Sequence, residues 1–155
     1  MPGYGILPVE AGGGLLDWGW AAQRLESAHN YWVATTGADG APHLAAVWGL
    51  WDGGGFFFST GGRSRKARNL TADPRCVITP EFAGEAVVVE GVAARVVDTG
   101  VLARVLARYE RKYGSGFPDP DSNPVFRVEP RVVFGIIEEG EDFAGRATRW
   151  TFPTP

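Results

Sequence analysis

The stretch FFFSTGGRSRKARNLTADPR, residues 56–75, changes character three times within twenty positions. Three consecutive phenylalanines and the hydroxyl pair Ser59-Thr60 read as a buried strand and its end. Gly61-Gly62 breaks that pattern, Ser64 is suited to cap a helix, and Pro74 to stop one, which predicts a short helix over 65–72. Arg63, Arg65, Lys66 and Arg68 crowd the junction. A strand, a glycine pair and a helix start form a general geometry for holding an anion. Free N–H groups of the first turn point outward and the helix dipole favours negative charge. Ser64 adds a hydroxyl, while Arg65 and Lys66 add charge-assisted donors suited to phosphate oxygens. The competing reading is a solvated basic helix face. A Walker A loop is excluded, because the G-x-x-x-x-G-K-[ST] spacing is absent.

Working outward, Asp17 is placed to cap a helix whose apolar positions are Trp18, Ala21, Ala22, Leu25 and Ala28. The period then shortens. YWVATTGADGAPHLAAVWGLW, residues 31–51, predicts two strands joined by a turn at Asp39-Gly40. Asp52 and glycines 53–55 make the turn into FFFST. Beyond the basic helix come RCVIT and EAVVVEGVAARVV, the second long enough to bend at Gly91. Residues 99–113 predict a long helix ended by Gly114. Its apolar stripe is Val101, Leu102, Val105, Leu106 and Tyr109, with Arg104, Arg108, Arg111 and Lys112 off the stripe. Strands near 125–129 and 131–138 and a tail strand in ATRWTF complete the pattern. Many short strands with tight turns, and no βαβ rhythm, indicate a mainly β fold: an antiparallel barrel with peripheral helices.

The 155 residues are read as one domain, 1–155, with residues 1–14 as an irregular glycine- and proline-rich arm. A net charge of -3 argues against a general affinity for nucleic acid or anionic lipid, so any basic site is local. One cysteine, Cys76, and two histidines, His29 and His43, leave neither a disulfide nor a cysteine- or histidine-based metal cage to expect. No basic leader or long apolar run is visible, and a cytoplasmic location is the default expectation. His43, just after the hairpin turn, is a conceivable proton donor or a structural residue. The dipole of its helix end accounts for His29. Cys76, Tyr109 and Tyr113 read as buried. Trp18, Trp20, Trp48 and Trp150 are available for a core, a ring-shaped pocket or a dimer face.

Residues 56–75 resemble the flavin-phosphate segment of the pyridoxamine 5'-phosphate oxidase-like split β-barrel superfamily. There, a hydroxyl-ended strand is followed by S-R-K-A on a helix start and then N-P or D-P. NYWVATTGADGAPHLAAVWGLWDGG resembles the superfamily's first hairpin, VVVEGVAARVVD its long central strand, and RVVFGI with ATRWTF its closing strands. The resemblance covers roughly residues 16–152. Within the superfamily, the pattern is most similar to the flavin/deazaflavin oxidoreductase branch, many of whose members use coenzyme F-420.

The resemblance implies an FMN-binding-like split β-barrel, a homodimer with its cofactor sites between two chains, and hydride transfer to or from a small-molecule substrate. Arg65 and Lys66 match the phosphate-binding pair, with Ser64 and Arg63 beside them. Ser59 and Thr60 match the strand end that reaches the ribityl-phosphate. Ala46, Val47 and Trp48 match a strand whose backbone runs along the ring. Asn69 follows on the helix face, and Trp150 matches a tail position that reaches the ring from the partner subunit. F-420 is the favoured cofactor and FMN the rival. A non-catalytic flavin carrier is the rival outside catalysis, and haem handling lacks a persuasive axial ligand. The sequence also departs from the pyridoxamine phosphate oxidases. The loop before S-R-K is one residue longer, Ala86 or a neighbour stands where they carry a glutamine, and their arginine-bearing tail is replaced by ATRWTFPTP. Oxidation of pyridoxamine phosphate is therefore not the expected activity.

Overall fold

The computed structural model describes residues 14–116 and 118–153; residues 1–13 of the expected arm lie outside them. In chain order the elements are α1 (Trp18–Ser27), β1 (Tyr31–Thr36), β2 (Pro42–Val47), β3 (Leu50–Asp52), β4 (Gly55–Ser59) and α2 (Arg65–Ala72). There follow β5 (Arg75–Pro80), β6 (Glu85–Arg95), α3 (Thr99–Tyr113), β7 (Val125–Ile137), α4 (Gly140–Gly145) and β8 (Thr148–Thr151). Every paired strand is antiparallel, in the order β2-β1-β5-β6-β7-β4-β3, with β8 added to β7. The fold is mainly β with peripheral helices, as the alternation of short apolar runs and turns predicts. No helix of the described residues is long and apolar enough to cross a membrane.

Two consecutive strands, β2 and β3, occupy opposite ends of that path. Laid flat, seven strands would span roughly 29 Å at ordinary spacing. The connection from Val47 to Leu50 reaches at most ~11 Å. The sheet must therefore curl until its ends face one another, leaving a seam without hydrogen bonds between β2 and β3. Here the structure corrects the sequence reading, which ran one strand through Trp48-Gly49. It also joins the two strands expected near 125–138 into a single β7. Pro130 sits where β7 changes partner, between its pairing to β4 at 125–128 and to β8 at 132–135. Its missing N–H is tolerated there. The register against β6 shifts at Glu90/Gly91, which is the bend expected at that glycine. The short helix α4 was not anticipated.

Local chemistry fixes the turns and caps. Asp17, Ser64 and Asp98 each accept a first-turn N–H of the helix that follows. Gly114 ends α3 at φ 71°. Gly53 and Gly54, both at positive φ, make the tight turn between β3 and β4.

The three phenylalanines are all buried, because β4 is covered on both faces. Phe56 and Phe58 face the barrel interior with Tyr31, Val33, Ile78, Val89 and Val128. Phe57 faces the other way and packs with Leu50, Val105 and Val125 under α3. The arginines expected off the α3 stripe are not simply solvated. Arg104 and Arg108 both pair with Asp52, a carboxylate only 7% exposed at the β3–β4 turn. Two cations of α3 thus hold one buried anion of the sheet.

The seam tolerates no side chain at Gly49. A β-carbon there would stand 2.1 Å from Cζ of Phe56. Gly49→Ala is expected to destabilise the fold by ~1–3 kcal/mol through overpacking. Adding Phe56→Leu should recover part of that loss in a double-mutant cycle read by denaturant unfolding. Strictly additive costs would show that the two residues do not contest the same space.

Candidate functional site

The basic junction is built by the end of β4 and the start of α2. Gly62 N–H donates to the carbonyl of Ser122 (2.9 Å) and Thr60 N–H to that of Pro124 (3.3 Å), which fastens the junction to the loop before β7. Ser59 Oγ donates to the carbonyl of Asn123 at 3.0 Å. Thr60 Oγ1 and Ser64 Oγ share a hydrogen bond of 3.1 Å, and Ser64 Oγ accepts the N–H of Ala67. The cap is thereby oriented, while the N–H groups of Arg65 and Lys66 remain as first-turn donors. Asn69 is buried in the same helix, and its Nδ2 donates to Thr35 Oγ1 at 3.0 Å. That bond sets α2 against β1.

The charge around this cap is unbalanced. Among the described residues Arg63, Arg65, Lys66 and Arg68 have no carboxylate partner. Arg68 instead donates to the carbonyl of Arg63 and closes the loop on itself. Lys66 is half-buried, and that burial lowers its pKa below the usual lysine value. The Arg65 guanidinium lies beside Gly37, in the β1–β2 turn. A half-buried lysine, exposed arginines and free first-turn donors suit a phosphate group, and no carboxylate of the described residues lies within 4 Å of these cations.

From that turn β2 runs about 20 Å to Trp48, at ordinary strand rise. It pairs with β1 alone, so its second edge keeps unpaired backbone groups along the predicted stretch of Ala46, Val47 and Trp48. The structure thus brings Arg63, Ser64, Arg65, Lys66, Ser59, Thr60 and Asn69 together around one helix start. It sets the Ala46–Trp48 edge on the strand leading away from it. Trp150 stands apart from this group. It packs edge-on against Trp18 (5.5 Å between ring centroids), which in turn meets Trp51 and Phe152.

Sequence reasoning missed the anchor at the far end of β2. Tyr113, assigned to the core, places its hydroxyl at the seam: it accepts the N–H of Gly49 at 3.0 Å and reaches the carbonyls of Gly49 (2.8 Å) and His29 (2.7 Å). Lys112 Nζ donates to the Tyr31 hydroxyl (2.8 Å) and to the carbonyls of Gly49 (3.1 Å) and Glu26 (3.3 Å). Burial pushes its pKa down to about 8. Only a tyrosine next to the αL glycine that ends α3 hinted at this clamp. His43 faces Thr35 across β1–β2, and its buried Nδ1 has no hydrogen-bond partner among the described residues. Cys76 is buried as expected, and that burial pushes its thiol up to about 12.

The sequence profile of the pyridoxamine 5'-phosphate oxidase family matches residues 21–136. No curated protein matches the chain in sequence. Among solved structures, the chain is similar to a conserved hypothetical protein from Mycobacterium tuberculosis. That pair has 27% identity and a TM-score of 0.67, over 77% of this chain and 83% of that one. It is also similar to an F420 reductase, with 23% identity and a TM-score of 0.58 over 72% of this chain and 93% of that one. A heme binding protein from Mycobacterium smegmatis shares 21% identity and a TM-score of 0.71, over 88% of this chain and 59% of that one. The last two likenesses concern the fold.

If the cap holds a phosphate, Lys66→Ala and Arg65→Ala should each weaken phosphate binding by ~1.5–3 kcal/mol, the scale of a hydrogen bond to a charged group. Arg149→Ala, at an exposed position of β8, should leave it unchanged in the same calorimetric titration. The Lys66 contribution should be present below its lowered pKa and fade as pH rises through it, because only the ammonium donates to the anion. Equal affinities for all three variants would remove the phosphate assignment.

Proposed function

Because this chain belongs to the pyridoxamine 5'-phosphate oxidase family, we propose that it binds a flavin-like cofactor and is an oxidoreductase acting on a small organic molecule. The observation that carries this reading is the uncompensated cation cluster at the α2 cap, set beside one end of the free β2 edge. A ligand with an anion at one end and a flat hydrogen-bonding ring at the other matches that layout. Arg65, Lys66 and Ser64 hold the phosphate, with Ser59, Thr60 and Asn69 shaping the strand end and helix behind it. The backbone of Ala46, Val47 and Trp48 runs along the ring. When bound, the cofactor supplies the hydride chemistry, and the protein positions it and shields one face.

Coenzyme F-420 is favoured over FMN on the resemblance to the flavin/deazaflavin branch, with Arg63 and Arg68 as the exposed cations available to its oligoglutamyl tail. Separate titrations with FMN and F-420 test this. Tighter F-420 binding that weakens with salt is expected. Reduced F-420 should then be oxidised only when an acceptor is present. A yellow protein that releases FMN on denaturation and ignores F-420 would reassign the cofactor. Binding of either cofactor without acceptor-dependent turnover would make the protein a carrier.

The functional unit in this reading is a homodimer. Trp32 and Leu44 are 41% and 59% exposed on the outward face of β1 and β2, beside half-buried Ala34 and Val77 in register with Leu44. An apolar sheet face of this kind marks an interaction surface, and a second copy carries the matching patch. Trp150 then meets the ring from the partner. Leu44→Asp should convert a micromolar dimer to monomer in sedimentation, with loss of cofactor affinity. A wild-type monomer binding cofactor at full affinity would count against the dimer.

A further inference from the structure

Trp48 is the one predicted site residue with a large apolar side chain left open: its indole is 44% exposed. Its orientation is nonetheless fixed. The indole stacks on Tyr113 with centroids 4.8 Å apart and planes 6° from parallel. His29 stands edge-on to both rings, 5.6 Å from Trp48 and 5.2 Å from Tyr113. The three centroids therefore form a near-equilateral triangle. On the far face of the indole, His29 would stand nearly twice as far from Tyr113 as it does. It lies at the rim of the stacked pair, and among the described residues the indole face turned away from Tyr113 has no aromatic neighbour. Tyr113 is itself held by Gly49 and His29, so the platform is rigid before any ligand arrives.

A large aromatic, locked from behind and open in front at the end of an unpaired strand edge, is preorganised to receive another flat ring. We infer that the open face of Trp48 stacks a planar, electron-poor conjugated ring, completing a sandwich of Tyr113, Trp48 and ligand. Indole is the most electron-rich of the side-chain rings, and offset stacking on an electron-poor partner is favoured by their complementary charge distributions. The chemistry has two possible sources: the ring of the cofactor, or a conjugated acceptor such as a quinone. The inference rests on the cofactor reading only for the first source, since an acceptor can be tested without it.

The test uses the whole protein, titrated separately with FMN, F-420 and menadione, a naphthoquinone, in wild type, Trp48→Leu and Trp48→Tyr. Stacking on indole should give a long-wavelength charge-transfer band with the occupant. That band should vanish in Trp48→Leu and move to shorter wavelength in Trp48→Tyr, because phenol is a poorer electron donor. Affinity for the occupant should fall about tenfold in Trp48→Leu, the upper range for an aromatic pair. Loss of FMN or F-420 affinity with menadione unaffected assigns the platform to the cofactor ring; the reverse assigns it to the acceptor. Trp48→Tyr keeps a ring on Tyr113 and decides the matter by the band shift if the leucine variant does not fold. Unchanged affinities and no band for any of the three ligands would overturn the inference. So would a Trp48→Leu protein that loses only its dimer, which would give this face to the second copy. A wild type that binds neither cofactor sinks the functional reading, and menadione alone then decides the platform.

Discussion

The closure of the sheet at Gly49 is the constraint on which the rest depends. A chain that passes from one end of a seven-strand path to the other through Trp48-Gly49 has only one way to succeed, which is to curl the sheet. The curl brings the seam against Phe56 with no room for a β-carbon. It also leaves the backbone groups of the seam to be satisfied from outside the sheet, and the last turn of α3 does this through Tyr113 and Lys112. The same helix is drawn in by Asp52, whose burial would be costly without Arg104 and Arg108. Closure, helix docking and the free edge of β2 are thus one arrangement seen from three sides.

Charge follows a contrasting logic at the two places where it concentrates. Around α3, each partly buried charged or polar group has a partner within the chain, and the cluster is structural. Around the α2 cap the donors are oriented and the cations stand unbalanced. Net negative charge elsewhere does not cancel this, since exposed charges beyond a Debye length interact weakly. Among the described residues the α2 cap thus differs from the α3 cluster in having no carboxylate within ion-pair distance of its arginines, where Asp52 holds Arg104 and Arg108.

Most of the fold was legible because its signals are local. Asp17, Ser64, Gly114 and the Asp39-Gly40 turn act within four residues of themselves, and the elements they bound appear where the pattern places them. The α2 cap was legible for the same reason. The division of β2 from β3 was not, because Gly49 is explained by Phe56, across the next hairpin, and by Tyr113, sixty-four residues on. The single β7 was not legible either: strands were expected near 125–129 and 131–138, and the partner exchange on either side of Pro130 shows how one strand spans both. Lys112 and the paired arginines looked like a solvent face, since helical periodicity cannot register a carboxylate that arrives from another turn. The Trp48 side chain was left open between core, ring-shaped pocket and dimer face, because its stacking depends on a helix that begins fifty residues later.

The pairing of β4 has a consequence for how the molecule is made. β4 touches β3 on one edge and β7 on the other, with Ser59 opposite Val125. On a ribosome, the β3–β4 hairpin emerges with its three phenylalanines and must wait for α2, β5, β6 and α3 before its second neighbour exists. Pairings this distant are slow and leave apolar strand edges exposed in the interval. The amino-terminal half is therefore a nascent chain without a stopping point. No truncation between Ser59 and Val125 yields a closed core, and the protein becomes native only as its penultimate strand is delivered.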